Sequence, residues 1–550
     1  MDKKTLLAFL LIAIVLIFTP YYMEMVSPTQ VPAEPSPELQ QNPTTPIDAI
    51  PSPTDPPVIS DMLVGLDNYE KTILIKTDLY EAVISSDGGG SIKSFVFNNY
   101  FLSDSSRIDI INGHNKENSL IQFKNLDGNI VDLSGAWQYS GAFYGGEIYE
   151  AQSLVFSIEI SPGRKIFKTL TLSPGSYLID VAIDMSGVRD LVFAGTYSLN
   201  WIGGLTATEK NKTDDYVYFK SYVYQGGELE DVKLKKDESE TMSFNGATDW
   251  VAIRTKYFIS AFIPSSPNIV SSASIGGTFQ ERESYDMSLS LSTSDIANVS
   301  IYLGPLEYDR IKSIGKDLDQ VMNFGIFFVR PISKSVLWVL KKLHNYIPNY
   351  GYILIIFAFA VKILVYPLTK KSYQSTAAMQ QLQPEITALK EKHQKNPQKL
   401  NQATMELYKQ RGVNPLGGCL PMLLQMPLLF ALFVVFRTTI ELRAEPFIWW
   451  IKDLSAPDAV FTLPFSIPIY GAHVAILPML MVVSMFIQQR MMSGGAAQQP
   501  QQKMMQYFMT GFFFLMFNTF PSGLNLYYTL FNVLTIAQQK LIPPTEPVST

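Results

Sequence analysis

Hydrophobic positions are spaced in three ways along this chain, and each spacing predicts a different kind of structure. Near the start, Lys3 and Lys4 precede an unbroken apolar run from Leu6 to Phe18, followed by Thr19, Pro20, Tyr21, Tyr22 and Met23. No small-x-small cleavage site follows, and continued through Met23 the run is long enough to cross a bilayer. Residues 1–26 therefore read as an uncleaved transmembrane signal anchor, with a cleaved signal peptide as the alternative. Either way the next segment is exported. From about Asp61 to Pro305 the spacing is two: Ile179, Val181, Ile183 and Met185 alternate with Asp180, Ala182 and Asp184. Met287, Leu289 and Leu291 alternate with serines, and Val299, Ile301 and Leu303 repeat the pattern. That is the period of half-buried strands. With turns at Gly88–Gly90, Asn112–Gly113 and Pro162–Gly163, it predicts an antiparallel β-sandwich domain over 61–310.

The third spacing is helical. Residues 318–347 hold a stretch with Val336, Leu340 and Leu343 on one side and Lys334, Lys341 and Asn345 on another. It predicts an amphipathic helix in the membrane interface with Trp338 at headgroup depth; a surface helix of the sandwich is the alternative. Apolar spans follow at about 350–369, 415–436, 471–490, 505–520 and 522–541, making a helical core over 348–541. With the anchor the count is six. The fold class is thus a multi-domain α+β membrane protein. The segment Lys370–Arg411 carries eight basic residues against three glutamates, whereas Arg437–Tyr470 has three basic and four acidic. Basic loops stay in the cytosol, so both termini are expected there, with the β domain periplasmic.

Composition narrows the possible chemistry. Ten prolines between Ser27 and Ser60 make 27–60 an extended tether without a core. A single cysteine, Cys419, excludes a disulfide framework, and four scattered histidines make a metal site improbable. No nucleophile is paired with a base, so no catalytic site and no cofactor are expected.

Polarity inside the apolar segments is the informative feature. In the last span Asn525, Tyr528, Asn532, Thr535 and Gln539 fall at steps of three and four and form one stripe. Such a stripe must face protein or water rather than lipid; simple interhelical hydrogen bonding is the plainer account. Gln425 lies between Pro421 and Pro427 in the third span. Lys362 interrupts the run Ile353–Val365, about 12 Å of helix from Lys370. Its stripe neighbours are Ala358, Tyr366 and Thr369, and no acidic residue lies in any span. The residues describe a hydrophilic cavity in the bilayer, with snorkelling to the cytosolic surface as the alternative for Lys362. Between the spans, 370–412 predicts a cytoplasmic helical hairpin: Met379, Leu382, Ile386 and Leu389 in one arm, Leu400, Thr404, Leu407 and Arg411 in the other, broken at Asn396–Pro397. Its Lys390, Lys392, Lys395 and Lys399 form either a docking face for an acidic partner such as a ribosome or a solvated face.

Several short motifs carry a family resemblance. Tyr366 to Lys370 reads Tyr-Pro-Leu-Thr-Lys, Asn414 to Cys419 reads Asn-Pro-Leu-Gly-Gly-Cys, and Gln425-Met-Pro427 follows. Phe520 to Leu524 reads Phe-Pro-Ser-Gly-Leu, with Tyr527 and Tyr528 after it; Glu441 to Arg443 and Lys452 to Ser455 extend the match. Over about 350–541 the chain resembles the YidC/Oxa family of membrane insertases, in its Gram-negative form. The resemblance implies a periplasmic β-supersandwich and a five-helix core whose groove opens to cytosol and lipid. It implies as partners nascent inner-membrane proteins, the Sec translocon, the ribosome and the lipid bilayer, with no sequence-specific nucleic-acid binding. It places Lys362 where relatives usually carry the groove arginine, and Met426 and Tyr528 on the substrate path. Departures are lysine at 362, Ala358 and Leu429 in place of bulkier or hydroxylated residues, and a short tail, 542–550, without a basic extension. A secondary transporter with a charged intramembrane cavity is the competing class, but it would ordinarily show repeated halves and a midplane carboxylate.

Overall fold

Two of the three alternating runs pair with each other, and the third pairs with Val192–Trp201 and Val270–Phe279 in another sheet. The computed structural model describes residues 69–111, 118–279, 282–393, 396–413, 420–467, 470–492 and 500–541. The expected anchor 1–26, the tether 27–60, the Asn112–Gly113 turn, Lys395, the 414–419 motif and the tail 542–550 lie outside the described residues.

Three sheets of five, nine and six strands build the β domain. Strand Leu178–Asp184 pairs antiparallel with Ala297–Pro305, setting Ile179 against Ile301 and Val181 against Val299. Strand Val192–Trp201 sets Leu199 against Leu289 and Trp201 against Met287. Ladder pairing thus places apolar residues of one parity on a common face, where Trp137, Trp201 and Trp250 fill the core. One pairing departs from the antiparallel expectation: Thr72–Lys76 runs parallel to Gly146–Glu147. Two of the expected turns fall among the described residues. Gly163, at φ +77, joins Gln152–Ser161 to Arg164–Leu172. Gly89, at φ +66, lies so close to the Trp137 ring that a Cβ would sit 2.6 Å from it.

Ten described helices complete the chain: α1 (Lys212–Tyr216), α2 (Tyr308–Ile314), α3 (Arg330–His344), α4 (Tyr350–Gln381), α5 (Gln383–Lys392), α6 (Pro397–Gln410), α7 (Leu420–Thr438), α8 (Ile476–Met492), α9 (Pro500–Phe517) and α10 (Ser522–Leu541). Among the described residues α4 is long and apolar enough to cross a membrane, and parts of α7, α8 and α9 are shorter apolar helices. α10 packs against both α8 and α4.

Several boundaries differ from the sequence reading. The 318–347 segment is α-helical only over α3; a 3-10 turn covers Leu318–Val321, and Gly325 at φ +89 interrupts the way to α3. α4 continues to Gln381 instead of ending at 369, because nothing between Lys370 and Gln381 breaks a helix. The break comes at Pro384, which cannot donate to an i−4 carbonyl, so Leu382 becomes the junction with α5. The hairpin proper is therefore 383–410. Its second arm starts as expected, Asn396 accepting from the Lys399 amide with Pro397 at the first turn. The supposed span 471–490 opens with a strand: Gly471–Ala475 pairs with Ala459–Ile467, and α8 begins only at Ile476. An apolar run without charges reads alike as strand or helix. The supposed 505–520 span is α9, 500–517, ended by Asn518. The described part of the supposed 415–436 span runs to Thr438.

Ion pairs fasten the β domain to the helices. Asp214 in α1 meets Lys256 at 2.7 Å and also Arg437 at the end of α7. Arg443 donates to Glu209 at 2.7 Å and to the Phe101 carbonyl at 2.9 Å. Lys341 of α3 reaches Asp309 at 2.6 Å and Glu441 at 3.1 Å. Burial works against the Asp214 carboxylate, but Lys256 and Arg437 outweigh it and hold its pKa below the usual range.

Another buried cation of the β domain, Lys168, has no carboxylate partner among the described residues. Lys168, fully buried in Arg164–Leu172, donates to the Gly88 carbonyl at 3.2 Å and to that of Ser119. Burial pushes its pKa from 10.5 down to about 7. Between those values the unfolded chain binds the extra proton, so this group makes folding stability rise as pH climbs from about 7 to about 10.5. Lys168→Met should raise the unfolding midpoint of the β domain at pH 7 by roughly 2–4 °C for each kcal/mol of burial cost it removes. It should also flatten the pH dependence above 7 in thermal melts of the full chain followed by tryptophan fluorescence. A parallel pH slope in parent and variant would refute this.

Candidate functional site

α4 and α10 meet where each carries polar residues. Lys362, 7% exposed, donates from Nζ to Thr535 Oγ1 at 2.6 Å. Thr535 in turn donates to the Phe531 carbonyl one helical turn back, at 2.7 Å. Nζ also lies 4.0 Å from the centre of the Phe531 ring and 6.0 Å from that of Tyr373. No Asp or Glu occurs between Asp458 and Glu546, nor between Tyr350 and Pro384. A hydrogen bond to a charged group contributes about 1.5–3 kcal/mol, and a desolvated cation–π contact about 2. Together they offset the roughly 3 kcal/mol cost of a lysine at membrane depth. The amine is held in place rather than turned to the surface.

Further along α10, Asn532 donates to Ser484 of α8 at 3.2 Å, and Gln538 donates to Thr369 of α4 at 3.3 Å. The stripe thus spreads over two neighbours. Asn525 is fully buried but is spent on the turn before α10, its amide donating to the carbonyls of Phe517 (3.1 Å) and Phe520 (3.4 Å). Gln425 of α7 faces Tyr527 and Tyr528. The Gln425 amide nitrogen and both hydroxyls lack a good hydrogen bond among the described residues. Buried groups in that state favour water or a transient ligand beside them.

Two predicted groove residues stand apart. Tyr366 is 42% exposed. At 100° per residue it lies about 40° round the α4 axis from Lys362, toward the exposed side. Thr369, about 20° the other way, is buried, as is Ala358. Met426 is 40% exposed on α7. In the hairpin Lys392 and Lys399 are exposed and Lys390 is half-buried. The arms meet through Met379, Leu382, Ile386, Tyr408 and Val413, and through an Arg411–Glu385 pair at 2.9 Å.

Residues 72–339 match the family described as YidC periplasmic domain, and 342–546 match the 60Kd inner membrane protein family. The membrane protein insertase YidC of Prosthecochloris aestuarii is 34% identical over 99% of this chain and 95% of its own length. That of Chlorobaculum tepidum shows the same identity and coverage. This chain belongs to the YidC family. A crystal structure of active YidC insertase with its first transmembrane domain resolved aligns over 87% of this chain and 95% of its own, at 18% identity and a TM-score of 0.36. The YidC family is one of inner-membrane proteins, and this member combines a YidC periplasmic domain rich in antiparallel strands with a C-terminal helical core.

Sequence reasoning passed over the aromatic partners of the YidC-family lysine. Phe531 lies four residues before Thr535 and Tyr373 eleven after Lys362, both spacings that return to the same helix face. Those spacings were the available signal. Thr535→Val keeps the shape and removes the acceptor, so Lys362 should react several-fold faster with a water-soluble amine reagent in proteoliposomes. Equal reactivity in parent and variant would show that the hydroxyl does not hold the amine.

Proposed function

We propose that this protein integrates nascent inner-membrane proteins and assists their folding, alone or with the Sec translocon, by non-enzymatic means. Relatives carrying the name membrane protein insertase match nearly the whole chain, which supports the reading. The observation that carries the mechanism is Lys362, a buried cation held by a hydroxyl and an aromatic face, with no carboxylate in its apolar segment. A client's polar segment would enter beside α4 and α10, where Lys362, Asn532, Thr535 and the under-bonded Gln425 and Tyr528 lower the cost of taking polar groups out of water. Its apolar segment would pass along the lipid-facing side, past Met426 and Tyr366. Attraction by Lys362 acts through a low-dielectric wall and favours acidic segments. The exposed hairpin lysines 392 and 399, with Lys390, suit an acidic ribosomal surface.

The arrangement fits six spans in the bacterial inner membrane, with both termini cytoplasmic and the β domain periplasmic, as the basic 370–411 segment favours. Cysteines placed at Ser105 or Asn211 should label from the periplasm, and one at Gln394 only after permeabilisation. Labelling of position 394 in intact spheroplasts would overturn the orientation.

The groove is tested by protease protection of radiolabelled clients in cells dependent on each variant. Lys362→Arg should preserve insertion, since charge is kept and bidentate bonding gained. Lys362→Ala should impair clients with acidic translocated segments most, and Lys362→Glu should impair them further. Parental insertion of acidic clients by both alanine and glutamate variants would remove the charge from the mechanism.

A further inference from the structure

The pairing of Ala459–Ile467 with Gly471–Ala475 creates a hairpin unlike any other part of the helical core. Its first strand reads Ala-Val-Phe-Thr-Leu-Pro-Phe-Ser-Ile and is exposed along most of its length. Phe461 is 62% and Phe465 61% exposed, and Phe461 pairs across the ladder with Val474. No Asp, Glu, Lys or Arg occurs from Ala459 to Gln489, so the hairpin and α8 up to its last turn, where Arg490 stands, form one uncharged run. Water-exposed strands of a soluble domain do not look like this; the long exposed strands of the β domain carry lysine, glutamate or serine between their apolar positions.

Its mounting is rigid. Asn518, at the end of α9 and fully buried, donates to the carbonyls of Tyr470 (2.8 Å) and His473 (2.7 Å) and accepts from the Ala475 amide (3.1 Å). Asp458, also buried, accepts at one oxygen from the Ile476 and Leu477 amides and from the Trp450 indole, at 2.9–3.0 Å. Two polar side chains thus clamp the hairpin root to the start of α8 and the end of α9. It cannot fold back over its own aromatic face without breaking them.

The helices it is clamped to are short. The 17 residues of α8 rise about 26 Å, less than a hydrocarbon layer of about 30 Å. The apolar part of α9, Tyr507–Phe517, is shorter still. Met479, Leu480, Val483 and Ile487 are exposed along α8, and the exposed hairpin leads directly into the start of that helix. Trp449, exposed and stacked on Trp450, stands beside the clamp as an interfacial aromatic would.

We propose that this hairpin is a lipid-contact element: Phe461, Leu463 and Phe465 sit among the acyl chains and headgroups of the leaflet at the Asp458–Asn518 end of α8 and α9, making up the apolar depth these helices lack. The periplasmic leaflet follows from the orientation proposed above, but the lipid contact does not depend on which leaflet it is. Occupancy by lipid rather than a protein partner rests on three features: direct adjacency to α8 with its exposed apolar residues, the absence of charge from Ala459 to Gln489, and the length deficit of α8 and α9.

The test uses the full chain with Cys419→Ser and an environment-sensitive fluorophore on Phe465→Cys, reconstituted in phosphatidylglycerol–phosphatidylethanolamine vesicles. Tyr144→Cys, at an exposed site of the β domain, serves as the aqueous control. Emission at 465 should be blue-shifted relative to 144, quenched several-fold more by lipids with a shallow nitroxide, and protected from iodide. Iodide quenching at 465 equal to that at 144 would overturn the proposal. So would protection that persists in detergent and is lost on dilution of the protein, since that is cover by a second copy. Which side of the vesicle gives iodide access to position 144 reports orientation separately, so an inverted topology and a solvated hairpin give different results. A Phe461→Ser variant, which leaves Asn518 and Asp458 in place, should weaken shallow-nitroxide quenching at 465 without altering the thermal melt of the β domain. Unchanged quenching would also count against the proposal.

Discussion

An ammonium group at membrane depth has few ways to be tolerated, and the helical core is organised around one of them. With no carboxylate in reach, Lys362 depends on the Thr535 hydroxyl and the Phe531 ring, both on α10. That dependence fixes the register of α10 against α4, because neither contact survives a slide of one turn. The same helix must then hold Ser484 of α8 through Asn532 and Thr369 of α4 through Gln538. A neutral ion pair would have locked the charge away. Hydroxyl and ring contacts leave the cation's field largely uncancelled while keeping its position.

The β domain answers a different constraint. The ion pairs that seat it lie where two bodies of unlike architecture touch, and Asp214 is shared between a residue of each, Lys256 and Arg437. Tyr218 lies under both of these cations and under Arg254. A shared carboxylate is harder to replace than two separate pairs, since losing it leaves two partly buried cations unpaired. The domain is therefore seated on the helices at α1 and the end of α7, in addition to the covalent passage through α3.

How much of this could be read from the residues depended on whether the information was periodic. The strand alternation at Ile179–Met185 and Met287–Leu291 was legible because a ladder enforces its period on both partners. The α10 stripe was legible for the same reason, and so was the break at Asn396–Pro397. Tyr366 is more exposed than Lys362 because a step of four drifts about 40° round a helix, enough to leave a narrow buried face. The strand at 471–475 was invisible because an uncharged apolar run fits either period. The junction could not be foreseen at all: Asp214 and Arg437 are 223 residues apart, and no local pattern links them. Asn518 and Asp458 likewise have backbone partners that no local pattern links to them.

The length of α4 has a mechanical side. Its 32 residues make a rod about 48 Å long, reaching from the Asn349 cap near the β domain to the foot of the basic hairpin. Pro367 is the one position within it that cannot donate to the preceding turn, so bending concentrates there, five residues beyond Lys362. A swing of the hairpin end by about 10° would displace Leu382 by roughly 4 Å while Lys362, beside the pivot and pinned to α10, stays nearly still. A movement of the hairpin end is thus separated from the position of the cation by the pivot at Pro367. The fold separates the part that can be tugged from the part that must stay aligned.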